Sequence, residues 1–315
     1  MRVLVTGANG FVGRAVFDRF CTDSDIEVVG AVRSNSSSGI DAMPMFEVGD
    51  VGADTDWSSA LLGVDVVVHL AARAHVLAET HPDPLSEFRR VNVEGALVLL
   101  RQAIASKVRR FVFISSIGVN GNVTEREPFS ERSPATPHAA YAVSKHEAEQ
   151  ALQSLAQSNG IELVIIRPPL VYAAHAPGNF ARLLKLVDLG LPLPFGSVQN
   201  LRSMVALGNL VDFIGCCVRH PAAAGQTFLI SDGDDVSLPQ MLQLLGQGMH
   251  KRCVLIPFPP ALMRLAAGML GKSNLYNQLC GSLQVDSAKS RALLGWTPPQ
   301  SGHTALVETG AAFKA

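Results

Sequence analysis

Residues 5–16 read VTGANGFVGRAV, with Gly7, Gly10 and Gly13 set between a β-branched run and an amphipathic one. The spacing has a steric logic. One glycine makes a tight turn, a second lets the backbone approach a pyrophosphate, and a third lets helix pack closely on strand. The helix that follows offers free N–H groups and the positive end of its dipole to phosphate oxygens. A strand before and a helix after are the context that gives three glycines this meaning. The turn therefore predicts a dinucleotide site built on Gly7, Asn9, Gly10, Phe11, Val12 and Gly13.

Outward from this turn, β-branched runs alternate with longer amphipathic segments. Strands are expected at 2–6, 26–32, 64–71, 109–116 and 161–167, and helices at 11–20, 85–106 and 139–158. Near-continuous Val/Ile runs mark strands covered by helices on both faces, as in a parallel sheet. Alternation of this kind implies right-handed crossovers and a doubly wound α/β fold. After residue 168 the texture changes to Pro- and Gly-rich pieces such as RPPLVYAAHAPGN, GLPLPFGS and IPFPP, with short strand-like SMVAL and TFLIS. The expected division is a dinucleotide-binding domain over 1–170 and a smaller substrate-binding part over 171–315, with the chain free to cross back.

The composition is 48% hydrophobic and 17% charged, ample for a sizeable core. A net charge of −1 excludes a whole-chain basic footprint for nucleic acid. The longest apolar runs fall short of the ~20 residues of a membrane helix. Met1 stands one residue from the strand-like VLV, so no signal peptide is expected. Cys21, Cys216, Cys217, Cys253 and Cys280 form no C-x-x-C pair and read as small apolar residues in a reducing compartment, so the expected location is cytoplasmic. The histidines, among them His69, His75, His81, His138, His146 and His175, show no metal spacing. No metal is expected.

The end of the second strand discriminates between cofactors. A carboxylate there would hold the ribose 2′-hydroxyl of NAD. The chain instead reads VVGAVRSNSSS, and Arg33 with the serines after it suits a 2′-phosphate. NADP(H) is the expected cofactor, with NAD(H) possible. Asp50 and Val51, after the third strand, are placed to meet the adenine. Leu70, Ala71 and Ala72 are small enough to let the cofactor backbone pass.

Tyr141 and Lys145 are four residues apart in AAYAVSKHEAEQALQ, hence on one helix face a turn apart. An ammonium beside a phenol favours phenolate and draws its pKa down from ~10. Such a tyrosine can exchange a proton with a substrate oxygen while hydride moves at the adjoining carbon. The fifth strand ends FISSIGVNG, where Ser116, preferred over Ser115, would hold the same oxygen.

These pieces, with HLAA, NVEGALVLL, YAVSK, RPPLVY and VDSAKSRALLGWTP, resemble extended short-chain dehydrogenases/reductases, the NAD-dependent epimerase/dehydratase group acting on nucleotide sugars. The resemblance runs almost end to end and implies a Rossmann-type sheet. It places the catalytic serine on Ser116, the proton-transferring tyrosine on Tyr141 and the lysine on Lys145. It puts Asn92 behind the site, Pro168 near the nicotinamide, and Asn179 and Arg202 on the diphosphate of a UDP-sugar. It also implies a homodimer through helices near 85–106 and 141–158. Dehydratases of the group carry an acidic pair after the serine, where this chain has Ile117 and Gly118. The overall likeness is to bacterial surface-polysaccharide enzymes that reduce UDP-4-keto-6-deoxy-N-acetylhexosamines at C4, and that is the expected reaction. A UDP-sugar 4-epimerase with tightly held NAD, a reductase of non-sugar carbonyls and a non-catalytic nucleotide sensor are the alternatives. Asn120 stands where the group has tyrosine.

Overall fold

The computed structural model describes residues 1–34, 45–74 and 83–314. The chain opens with β1 (Arg2–Thr6), α1 (Phe11–Cys21), β2 (Glu27–Val32), β3 (Met45–Glu47) and β4 (Val66–His69). Then come α2 (Pro84–Arg89), a π-helical turn (Arg90–Glu94), α3 (Gly95–Ala105) and β5 (Arg110–Ile114). A 3₁₀ turn (Ile117–Val119) leads to α4 (Ala140–Asn159) and β6 (Glu162–Arg167). The second half holds β7 (Leu170–Tyr172), α5 (Asn179–Asp188), β8 (Met204–Ala206), α6 (Leu207–Arg219) and β9 (Thr227–Leu229). It closes with α7 (Leu238–Gly248), α8 (Pro260–Met269), α9 (Ser273–Cys280), α10 (Ala288–Leu294) and α11 (Gly302–Lys314).

One parallel sheet runs in the order β3-β2-β1-β4-β5-β6-β9, a Rossmann-type doubly wound arrangement. Alternate strand residues face opposite layers. Val3 and Val5 join Phe17 of α1 and Phe213 of α6, while Leu4 joins Leu99 of α3 and Leu152 of α4. The sheet's last strand and one of its covering helices come from beyond residue 170, so the chain does cross back. Buried Arg110 fixes that return, donating to the carbonyls of Cys217 (2.7 Å) and His220 (3.0 Å) at the end of α6.

Two expected elements differ in an instructive way. The helix read over 85–106 is broken by the π turn at Arg90–Glu94, which turns Asn92 inward to complete burial. The strand read over 64–71 stops at His69 because the amides of Leu70 and Ala71 are taken by the Thr6 hydroxyl, each at 3.1 Å.

The C-terminal part has its own core of Phe180, Leu184, Leu242, Leu245 and Leu306. Helices α7 and α11 touch backbone to backbone, since a Cβ on Gly310 would lie 2.2 Å from Leu245 O. A buried polar hub ties this part to β7 and β8. The Tyr172 hydroxyl donates to Asp232 Oδ2 (2.7 Å), and the same carboxylate accepts from Ala206 N and Asn209 Nδ2. Burial raises the Asp232 carboxyl above the usual carboxylate range, so its donors matter. Replacing Tyr172 with Phe leaves that group short of one donor. Urea unfolding of Tyr172→Phe should show a loss of roughly 1–3 kcal/mol with unchanged far-UV circular dichroism.

Candidate active site

The glycine turn has the shape a dinucleotide diphosphate needs. Gly7 has φ +64°, and a Cβ on it would sit 3.0 Å from Ala71 Cα. A Cβ on Gly13 would lie 2.0 Å from Gly7 O, so α1 can start here only with glycine. No side chain caps the N-terminus of α1 at Gly10, and no acid stands in its first turn. Its amides and dipole remain available to an anion. Asn9 is exposed at this turn, Phe11 and Val12 half-buried, and Phe11 meets His175 of the C-terminal part edge-on at 5.3 Å. Leu70, Ala71 and Ala72 form the facing wall, half-buried.

Thr6 organises that wall and was not singled out from sequence. Its hydroxyl oxygen accepts from Leu70 and Ala71, so its own proton goes to His69 Nδ1 at 2.8 Å. That fixes His69 as the Nε2–H tautomer. Burial, with a smaller push from Lys145, holds the imidazole pKa down at about 3, so it is neutral in the working range.

At the tip of β2, Arg33 Nε lies 3.0 Å from Asp50 Oδ1, both side chains largely exposed. The acid sought on the second strand is thus present, delivered by the loop after β3. It offsets the charge that a 2′-phosphate would use. The serines after Ser34 lie outside the described residues, as do His75 and His81. Val51 packs below, where a Cβ on Gly95 would meet its Cγ1 at 2.4 Å.

Backbone bonds carry the β5–β6 ladder past the strand ends. Ser115 N donates to Ile166 O (2.7 Å) and Ile117 N to Pro168 O (3.0 Å). Ser116, between them, is held in extended conformation, half-buried, with its Oγ accepting from Gly118 N at 3.1 Å. The Ser115 hydroxyl, by contrast, is buried. A Cβ on Gly118 would touch Ser116 Oγ (3.3 Å) and Ala142 Cβ (3.2 Å), so the 3₁₀ turn sits directly on the first turn of α4. The end of β5 that carries Ser116 is thus set against the turn of α4 that carries Tyr141.

Lys145 is buried, its Nζ donating to Ile114 O at 2.8 Å and lying 4.4 Å from the centre of the Phe113 ring. Burial drives its pKa down to about 7, partly opposed by Glu149 one turn further on. The expected lowering of the phenol is not found. Burial pushes Tyr141 up to about 12, while Lys145 directs its charge to the Ile114 carbonyl. In this state Tyr141 is an acid holding its proton.

Behind the site, Asn92 makes a paired contact with the backbone of Arg73 (2.8 and 3.1 Å) and donates to Ser144 Oγ (3.0 Å). Ser144 in turn donates to Tyr141 O at 2.8 Å. Glu149, fully buried, takes a forked contact from Arg167, whose Nη1 donates to Asn120 Oδ1 at 3.0 Å. Asn120 thereby links that ion pair to the carbonyls of Ser130 and Ser133. Glu149 had a legible signal, since it repeats the four-residue step from Tyr141 to Lys145.

Arg202 and Asn179 both reach the end of α9. Arg202 Nη1 donates to Gly281 O (2.9 Å) and Asn179 Nδ2 to Gln278 Oε1 (2.9 Å). Among the described residues no carboxylate pairs with Arg202, and burial lowers its pKa. A half-buried guanidinium held only by a carbonyl is suited to an anion. Among the described residues no cluster of His, Cys, Asp and Glu is arranged to hold a metal ion, and no helix is long and apolar enough to cross a membrane.

Residues 3–231 match the family model described as "NAD dependent epimerase/dehydratase family". The chain is 44% identical over 315 residues to a UDP-glucose 4-epimerase of Vibrio cholerae, covering 99% of this chain and 95% of that one. It is 30% identical over 274 residues to an N-acetyl-α-D-glucosaminyl-diphospho-ditrans,octacis-undecaprenol 4-epimerase of Escherichia coli O157:H7, covering 85% and 77%. The fold is shared with the crystal structure of a UDP-glucuronic acid 4-epimerase from Bacillus cereus in complex with NAD. Its TM-score is 0.78 at 21% identity, covering 100% of this chain and 98% of that one. The preference for NADP expected from Arg33 finds no support in these likenesses.

Two predictions follow from the charges. A lysine whose folded pKa is about 7 against an ordinary 10.5 lowers stability fully below pH 7, and the loss is relieved as pH rises towards 10.5. Lys145→Met should therefore melt higher than the wild type at pH 6, with the gap narrowing by pH 10 in differential scanning calorimetry. Asp50→Asn frees Arg33, so its ratio of Kd for NAD to Kd for NADP should rise by roughly two- to fivefold, the size of a surface charge term. Fluorescence titration reads it.

Proposed function

Because this chain belongs to the NAD dependent epimerase/dehydratase family, we propose that it is a UDP-sugar 4-epimerase working with firmly held NAD. The observation that carries this reading is the near-complete 44% identity to a UDP-glucose 4-epimerase. The reductase expectation rested on Arg33 as a 2′-phosphate ligand and on an overall likeness to C4 reductases of nucleotide sugars. With Asp50 against that guanidinium, support moves from exchangeable NADPH to NAD and from net reduction to epimerisation. Elimination is disfavoured by Ile117 and Gly118, which offer no carboxylate beside Ser116.

In this reading the glycine turn and the first amides of α1 hold the diphosphate of the cofactor, with Asp50 and Val51 near its adenosine and Pro168 near its other end. NAD, when bound, supplies a hydride acceptor and donor and a positive ring charge. Ser116 Oγ holds O4 of the sugar. As the phenolate, its own proton first released to solvent, Tyr141 would take the 4-hydroxyl proton as the 4-keto sugar forms and return it once the sugar has presented its other face. A phenol at about 12 is a good proton holder for the return step. It needs added positive charge nearby for the first step. Lys145 and the oxidised cofactor are the sources of that charge. Asn92 holds the wall and α4 in register. Arg202 and Asn179 hold the diphosphate of the substrate.

The same chemistry on a polyprenyl-diphosphate sugar is a second reading. It is favoured by the exposed apolar helix α8 on the α9 side, where Arg202 and Asn179 are tied. The dimer through α3 and α4 and a cytoplasmic site of action are part of the proposal.

Purified protein should release NAD on denaturation and convert UDP-glucose to UDP-galactose, followed by NMR, without net change in nicotinamide absorbance. Tyr141→Phe should lower kcat by roughly 10²–10⁴ with NAD still retained. Stoichiometric oxidation of NADPH by a UDP-4-keto sugar, with no UDP-galactose formed, would overturn the epimerase in favour of the reductase.

A further inference from the structure

Helix α8 reverses the usual amphipathic rule. Leu262, Leu265 and Met269 recur at i, i+3 and i+7, on one face, and are 52%, 61% and 77% exposed. The opposite face carries Met263 and Ala267, and no residue of the helix is buried. Leu270, just past the helix, is 70% exposed, and Ile256 and Phe258 before it are exposed too. Of the large apolar side chains exposed among the described residues, half lie between Val254 and Leu275. They are concentrated on α8 and the segments flanking it, not scattered over the chain.

The charge of the same segment is one-sided. Residues 236–285 contain no Asp or Glu, although the chain has 27 of them. They contain Lys251, Arg252, Arg264 and Lys272. Lys251 is paired with Asp188 at 2.6 Å. Arg252, Arg264 and Lys272 are exposed, with no carboxylate in ion-pair range among the described residues. Arg264 also lines the shallow groove where α8 meets the start of α9, with Leu265, Gly268, Met269 and Ser273.

We propose that α8 and the loops beside it form a peripheral docking surface for an anionic lipid bilayer. Outward leucines and methionine would enter the headgroup boundary while Arg252, Arg264 and Lys272 meet lipid phosphates. Charge complementarity selects this occupant. A second copy of the chain would set these cations against their own kind, whereas an anionic bilayer supplies both an apolar layer and negative charge. Docking is lateral, since no described helix is long and apolar enough to cross. It turns towards the membrane the side of the molecule where α9 ties Asn179 and Arg202.

The test is cosedimentation of the full-length protein with phosphatidylcholine vesicles, with and without phosphatidylglycerol. Binding is expected only with phosphatidylglycerol and should weaken as salt is raised. Leu265→Glu combined with Met269→Glu should abolish it. Arg264→Gln combined with Lys272→Gln should weaken it roughly 25-fold, from about fivefold per cation. Both variants should keep the wild-type Tm, because the altered side chains touch solvent. Three results would each overturn the proposal. One is no binding to phosphatidylglycerol vesicles. Another is equal binding by the Glu variant. The third is an oligomer in analytical ultracentrifugation that the Glu variant takes apart, which would give the face to a second copy. Vesicle binding is read without turnover, so it stands or falls apart from the epimerase reaction.

Discussion

The buried ammonium of Lys145 is the constraint around which the site is arranged. An unpaired charge out of water is costly, and the protein answers it with three contacts of different kinds. The Ile114 carbonyl accepts its hydrogen bond, the Phe113 ring offers its negative face, and Glu149 supplies opposite charge. Glu149 is itself buried and needs Arg167 in a forked pair, and Arg167 in turn needs Asn120. Each charge is made tolerable by the next until the chain of contacts ends on the carbonyls of Ser130 and Ser133. This gives Asn120 a role that a tyrosine could not fill in the same way. An amide both donates to those carbonyls and accepts from the guanidinium.

Helix α4 is therefore read on one face as a sequence of roles, Tyr141, Lys145, Glu149, at the four-residue step of a helix. Its register against the sheet is set from the other side. Asn92 reaches out of the π turn to grip both the Arg73 backbone and Ser144, whose hydroxyl holds the Tyr141 carbonyl. A regular helix through 90–94 would rotate Asn92 away from that grip. The irregular turn is thus the local cost of placing one amide between the cofactor wall and the catalytic helix. On the far side of the same wall, Thr6 and neutral His69 fix the backbone of Leu70 and Ala71, against which Gly7 closes.

What could be read from sequence follows how local each signal is. The glycine turn is a steric requirement written in the seven residues from Gly7 to Gly13, so the fold was visible from it. Tyr141, Lys145 and Ser116 could be named as candidates because a helix period and a strand end place them. Three-residue β3 and β9 carry too little pattern of their own, and their place in the sheet depends on partners far along the chain. The pairing of Arg33 with Asp50 joins the ends of two strands and could not be seen from either one alone. That unseen contact bears on the reading of NADP, while the expectation of reduction came also from a likeness to C4 reductases. The pKa expected for Tyr141 was misjudged for the same reason. Spacing shows that two groups are neighbours, but not that Lys145 is buried and turned to a backbone carbonyl.

The two ends of the site rest on very different foundations. The proton-transfer end is set in the sheet and its covering helices, where nearly every neighbour is buried. The end that holds Arg202 and Asn179 leans on α9, and α9 is braced to α8, for example through Tyr276 Oη on Pro260 O at 3.2 Å. No residue of α8 is buried, and half-buried Met263 is its contact with the C-terminal core. Segments with few buried contacts are the first to open. Whatever covers the outer face of α8 also steadies α9, and with it the carbonyl of Gly281 that orients the Arg202 guanidinium. In the proposed epimerase the covering of this face would act on the substrate diphosphate through these ties to Arg202 and Asn179, whereas proton transfer at Tyr141, anchored in the sheet, would be independent of it.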